Sequence, residues 1–217
     1  MKNFSKVLIA AVLGVFLIAG SSWAIPTLEL DAGGAITTVT DTDNDGYITW
    51  LGQLGNFDFN FAAGVTKPHD GSAAIPMMHV NGCTTVTEGT GGGTFTVKFS
   101  ETDFGPLNTS ITGFLSSLNG AGGTQSLEVY YDTNNTLFSM GTRIADIDII
   151  NTAEFYNGIP AINPFSLTMV STITLATGTG SFDNTVVAPV PEPATMLLLG
   201  VGLIGLAGVN RKKIFKS

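Results

Sequence analysis

Between residues 41 and 46 the chain reads Asp-Thr-Asp-Asn-Asp-Gly, its densest local set of metal-ligating side chains. Carboxylates at alternate positions, followed by a glycine that permits a sharp turn, gather oxygens around one hard cation. The spacing matches the opening of a D-x-[DN]-x-[DN]-G calcium loop. In such loops the seventh position supplies a backbone carbonyl, here Tyr47, and the eighth is often apolar, here Ile48. The twelfth should be a bidentate Glu and is Gly52, so a full EF-hand is not expected. Two readings stay open. One is a structural calcium site on Asp41, Asp43, Asp45 and Tyr47, completed by distant oxygens such as those of Asp31 or Asp70. The other is an acidic hairpin turn that holds no ion.

Other chemistry-bearing residues are sparser. His69 and His79 are the two histidines, and with Asp70 and Cys83 they sketch a metal site or a Cys/His nucleophile. Neither spacing fits a zinc pattern, and no Gly-x-Ser-x-Gly elbow accompanies them. Glycoside hydrolysis would need two carboxyl groups facing each other in a cleft, and Glu88, Glu101, Asp103, Glu128, Asp132, Asp146, Asp148 and Glu154 are the candidates. Asp146 and Asp148 interleave with Ile144, Ile147 and Ile149, which makes a solvated strand face the simpler reading. Trp50, Tyr130, Tyr131 and Tyr156 would stack on sugar rings if exposed, or pack between sheets if not. No catalytic constellation emerges, and a non-enzymatic protein is expected.

The elements that must carry these residues are strands. Phe57, Phe59 and Phe61 alternate with Asp58 and Asn60; Phe95, Val97 and Phe99 alternate with Thr96 and Lys98. From Phe165 to Leu175 apolar residues again recur at every second position. Successive strand side chains face opposite sides, so each run predicts an apolar row on a core and a polar row in water. Shorter candidates are 27–30, 35–40, 47–51, 77–81, 111–118, 127–131 and 144–150; residues 110–118 also carry a helical spacing of Ile111, Phe114, Leu115 and Leu118. Asn-Gly, Gly-Gly-Gly and Asn-Asn turn signals separate them. The expected fold is all-β: an antiparallel β-sandwich, jelly-roll-like or Ig-like.

The ends differ in kind from the middle. Lys2 and Lys6 precede an apolar core from Val7 to Gly20, and Ser22 and Ala24 are small residues at −3 and −1. Residues 1–24 therefore read as a secretory signal peptide, cut by signal peptidase between Ala24 and Ile25. The expected division is a sandwich over 25–182, a linker over 183–193, a transmembrane helix over 194–210 and a basic tail over 211–217. Residues 25–188 hold 16 acidic residues against Lys67, Lys98 and Arg143, a formal charge of −13, whereas the whole chain carries −8. That charge argues against nucleic acid as a partner. Cys83 is the single cysteine, so no internal disulfide forms.

At the other end Val190-Pro191-Glu192-Pro193 leads into an uncharged stretch from Ala194 to Val209 and then Arg211-Lys212-Lys213. Sixteen helical residues at about 1.5 Å each cover roughly 24 Å, short of a hydrocarbon core of about 30 Å. The basic end stays cytoplasmic by the positive-inside rule, which leaves the acidic domain outside the inner membrane. Prolines 191 and 193 favour an extended stalk within reach of a processing enzyme. This order of motif, span and basic stop resembles the PEP-CTERM sorting signal of Gram-negative bacteria. The resemblance implies recognition at Pro191-Glu192-Pro193 by a membrane-embedded exosortase, tail removal, and transfer to the cell surface or an exopolysaccharide matrix. The expected role is a surface or matrix-associated β-sandwich module. A secreted polysaccharide-acting hydrolase and a calcium-dependent adhesin are the alternatives.

Overall fold

The computed structural model describes residues 24–105, 111–120, 123–148, 152–157 and 164–187. Among these there is no helix, and twelve strands follow in order: β1 (Thr27–Ala32), β2 (Ala35–Thr40), β3 (Tyr47–Leu54), β4 (Phe57–Val65), β5 (Met77–Val86), β6 (Gly93–Phe104), β7 (Ile111–Gly120), β8 (Thr124–Asp132), β9 (Thr142–Ile147), β10 (Thr152–Asn157), β11 (Phe165–Leu175) and β12 (Thr179–Val187). They form two six-stranded antiparallel sheets, ordered β2-β1-β6-β11-β8-β9 and β10-β7-β12-β5-β4-β3.

The pairing decides between the two sandwich types. β5 pairs with β12, β6 with β11, β7 with β10 and β8 with β9. Such nesting is one long hairpin folded into two four-stranded sheets, which is the jelly roll rather than the Ig arrangement. The hairpin β1–β2 extends one sheet beside β6, and β3–β4 extends the other beside β5. Residues 111–120 are strand, so the period-two reading of that segment holds and the helical spacing does not.

The core lies between the sheets and is rich in phenylalanine. Phe57, Phe59, Phe95, Phe99, Phe104 and Phe165 are fully buried, with Phe95 packed edge-on against Phe57 and Phe59 at 4.8 and 5.1 Å between ring centroids. A polar bridge crosses this core: Gln125 Nε2 of β8 donates to Asn184 Oδ1 of β12, and Asn184 Nδ2 donates to Ser171 Oγ of β11 at 2.8 Å. It ties the two sheets together at buried positions, where an unmade hydrogen bond is expensive.

Two expectations change. Residues 183–187 belong to β12 and not to a linker: the strand is held on both sides by β5 and β7, and Val186 is buried in the core. Phe61 does not continue the inward row of Phe57 and Phe59. The register slips between Phe59 and Phe61, so Asn60 is a bulge residue and the side chains beyond it change faces. Phe61 then points outward and is 43% exposed, while Ala62 takes the inward place.

Because each strand reverses its predecessor, the entry at Thr27, the exit at Val187 and the connections at 41–46, 66–76 and 133–141 share one end of the sandwich. The turns at 33–34, 55–56, 87–92 and 176–178 lie at the other. Ala24 and Ile25 open the described chain at the exit end. The rest of the signal segment, the sorting residues Val190 to Pro193, the apolar span and Arg211 to Lys213 lie outside the described residues.

Candidate functional site

The acidic motif forms the loop between β2 and β3 at the exit end. Asp41 is buried, and its carboxylate organises the loop: Oδ1 accepts the N–H of Asn44 and Oδ2 that of Gly46, each at 2.8 Å. Asp45 Oδ1 accepts the N–H of Tyr47 at 2.8 Å. Asn44 and Gly46 both take the left-handed conformation, φ 58° and 81°. At Gly46 this is obligatory in a second sense, since a β-carbon would lie 2.5 Å from the carbonyl oxygen of Thr66. The loop thus turns tightly against the chain leaving β4, where the Thr66 N–H donates to the Gly46 carbonyl at 2.9 Å.

The folded loop brings together the three expected carboxylates. One oxygen from each of Asp41, Asp43 and Asp45 lies within 4.8 Å of the others, a spread that one cation can span. A hydrogen bond shared with Asp41, then the charge of Asp45, raises the Asp43 carboxyl above the usual range. Tyr47 begins β3 and pairs with Val65 in the ladder. Of the distant oxygens considered, Asp70 stays at this end, its N–H bonded to the Thr66 carbonyl. Asp31 sits at the opposite end, where it caps Gly34, and cannot complete the set.

Directly beneath this loop lies a buried ion pair. Thr66 Oγ1 donates to Glu101 Oε2, and Lys67 Nζ donates to Glu101 Oε1 at 2.7 Å and to the Thr102 carbonyl at 2.9 Å. The ammonium also sits 4.7 Å from the centre of the Phe104 ring. Burial pushes the Glu101 carboxyl up to about 7, against the pull of Lys67 and Thr66. The sequence marks Glu101 only as one acid among many; its inward position follows from its period with Phe95, Val97 and Phe99.

Of the remaining acids, Glu88 borders a depression of about 280 Å³ with no second acid in its lining. Glu128 and Asp146 are brought together on the open outer face of their sheet, both bound by Arg143 Nη1 at 2.8 and 2.7 Å. Asp103 exchanges two hydrogen bonds with Asn135, and Asp132 accepts from Asn134. Asp132 is thereby held below the usual carboxylate range, chiefly by the Asn134 N–H. The side chain of Glu154 lies outside the described residues. His79 pairs with Asp183 at 2.9 Å. It stands four strand residues from Cys83, a separation of roughly 13 Å that rules out a His79–Cys83 pair.

Of the expected aromatics, Trp50 and Tyr131 pack on other rings, Tyr130 lies on the outer face of β8, and the side chain of Tyr156 lies outside the described residues. Trp50 packs on Phe59 at 5.5 Å, and Tyr131 stands edge-on to Phe165 at 6.5 Å. Among the exposed large apolar side chains of the described residues, Leu51, Phe61 and Tyr47 share one face. They are 75%, 43% and 45% exposed on the outer face of β3 and β4.

Comparison with known proteins assigns the end of the chain. Residues 189–212 match the family model of the PEP-CTERM protein-sorting motif, and the rest of the chain has no family assignment. No curated protein matches. Among solved structures, TmCBM61 in complex with β-1,4-galactotriose is 10% identical, aligned over 62% of this chain and 90% of that one at a TM-score of 0.31. The Yersinia pseudotuberculosis-derived mitogen is 13% identical over 54% and 91%, at 0.31. TmCBM27, a carbohydrate-binding module solved for mannan recognition, is 11% identical over 64% and 86%, at 0.29. Likenesses of this size carry no argument about what the present chain binds.

Proposed function

We propose that this chain, which carries the PEP-CTERM sorting motif, is an exosortase substrate whose jelly-roll domain serves outside the cell as a non-enzymatic module associated with exopolysaccharide. The carrying observation is the motif at residues 189–212, immediately after the last strand of the domain. Only residues 188–190 separate Val187 from Pro191, a reach of at most about 14 Å when fully extended. The sandwich is therefore held close to the membrane by its exit end until the tail is cut, and its broad faces stand clear. Signal peptidase removes residues 1–24 during export. The inner membrane holds the precursor, and the surface or the matrix receives the product.

The distribution of polar groups supports a module over a hydrolase. Glu101 is sealed in the core and Glu128 with Asp146 is neutralised by Arg143, so neither arrangement offers an acid and a base across a cleft. Calcium enters as a second, compatible reading, favoured by the mutual approach of Asp41, Asp43 and Asp45. An ion there would stiffen the exit end and lower its negative charge next to the membrane.

Cell fractionation tests the proposal. The native chain should be recovered with the extracellular polysaccharide, and a variant with Pro191, Glu192 and Pro193 all replaced by Ala should stay in the inner membrane. Equal distribution of both proteins would refute sorting through this motif. Native protein released to the medium but absent from the polysaccharide fraction would refute the matrix role.

A further inference from the structure

The outer faces of the two sheets are chemically unlike. On the β1–β6–β11–β8–β9 face the charged groups satisfy one another: Lys98 holds Glu29 at 2.8 Å, and Arg143 holds Glu128 and Asp146. Ser100, Thr168 and Ser166 on this side are buried and bonded, Ser100 with Thr168 and the Phe138 N–H, and Ser166 with the Thr136 carbonyl, whereas Thr96, Ser126 and Thr172 make no side-chain hydrogen bond to a described residue. On the β7–β12–β5–β4 face the register places Asn119, Ser181, Cys83 and Phe61 in one row, and Ser117, Asp183 and Asn81 in the next. The side chains of Asn81, Ser117, Asn119 and Ser181 make no hydrogen bond to any described residue. They line a shallow depression of about 250 Å³ whose wall is Phe61 and whose rim is Asp183.

Uncharged groups that both donate and accept, set beside an exposed aromatic ring, match one ligand chemistry. A sugar ring offers a face of C–H groups to an aromatic and a rim of hydroxyls that donate and accept in turn. The Asp183 carboxylate, braced by His79 at 2.9 Å, adds an acceptor for paired hydroxyls. The depression is open and smaller than the roughly 300–1,000 Å³ clefts that enclose a small ligand, which suits a polymer lying across the strands. The charge of −13 over residues 25–188 repels uronate or phosphate-bearing chains.

We propose that this face binds a neutral polysaccharide chain, with Phe61 as the stacking platform and Asn81, Asn119, Ser181 and Asp183 as hydrogen-bonding partners. The assignment deepens the matrix role above and rests on it for biological meaning. The bulge at Asn60 is the device that makes it, since without the slip Phe61 would point into the core.

The test is native affinity electrophoresis of the full-length chain in mild detergent, through gels containing galactomannan, mixed-linkage β-glucan or dextran, with polygalacturonate as the anionic control. At least one neutral polymer should retard the protein and polygalacturonate should not. Phe61→Ala should weaken retardation about tenfold. Phe61→Tyr should keep it, and Asn119→Ala with Ser181→Ala should weaken it. Tyr130→Ala, on the opposite face, should leave it unchanged. Phe61, Asn119 and Ser181 all lie outside the core, so thermal unfolding of these variants should match that of the native chain; if Phe61→Ala does not fold, the Asn119/Ser181 variant decides. Absence of retardation in all three neutral gels overturns the proposal, as does undiminished retardation of Phe61→Ala or of the Asn119/Ser181 variant. Fractionation of cells decides the matrix role separately, because it uses the polymer the cells make and not these probes.

Discussion

Lys67 Nζ lies 2.7 Å from Glu101 Oε1, and that carboxylate has no solvent exposure at all. The pair closes the core at the end from which the chain leaves for the membrane, and Thr66 joins it to the acidic loop. Water is excluded from Glu101 strongly enough that burial outweighs both of its partners and raises its carboxyl from 4.5 to about 7.

Stability should therefore carry a pH signature from this residue. Between about pH 4.5 and 7 the folded chain retains a proton that the unfolded chain has released, so the stabilisation is complete below that window and lost as pH rises through it. The shift corresponds to on the order of 3 kcal/mol. Asp132, held low, acts in the opposite sense, which makes the difference from Glu101→Gln the informative quantity. Denaturant unfolding of both proteins from pH 4 to 8 should show the native chain losing ground to the variant as pH rises. Parallel curves would be inconsistent with a raised Glu101.

The turn at Gly46 should tolerate no side chain. Gly46→Ala must adopt φ 81° and push a methyl carbon against the Thr66 carbonyl, so a loss well above about 1 kcal/mol is expected in chemical denaturation. Gly33→Ala, also at positive φ but with open space around it, should cost less. Equal losses would show that the contact with Thr66 does not matter.

Calcium should separate two roles within one loop. Asp41→Ala removes the acceptor for two backbone N–H groups and should destabilise the chain by about 1–3 kcal/mol without any metal. Asp43→Ala, exposed and repelled by its neighbours, should leave the metal-free stability intact and abolish the heat of calcium binding in titration calorimetry. A native protein that gives no such heat has no calcium site here.

Asn184→Ala should be among the costlier core substitutions. It withdraws the partner shared by Gln125 Nε2 and Ser171 Oγ where both are buried, and about 2–4 kcal/mol of stability should go with it. Thermal unfolding near that of the native chain would show that the bridge contributes little.

What could be read from the residues depended on whether local pattern or long-range pairing set the outcome. The alternation at Phe95–Phe99 and Phe165–Leu175 is local, and those strands are where the pattern put them. The acidic loop is local too, and its carboxylates converge. Phe61 was misplaced because a single bulge at Asn60 reverses the face of everything beyond it, and a bulge has no alternation of its own. β10 was missed because six residues without clear periodicity are fixed by pairing with β7. Residues 183–187 resembled a linker, yet sit between two neighbouring strands that supply their hydrogen bonds. The furrow could not be seen at all, since Phe61, Asn81, Asn119 and Ser181 meet only through the register of four strands.

The central claim is that the tail is a temporary anchor read at the Pro-Glu-Pro motif. Intact-mass spectrometry of the protein recovered outside the cells measures this directly. The expected mass is that of a chain beginning at Ile25 and lacking Leu197 to Ser217. An extracellular protein that retains that segment would contradict the account.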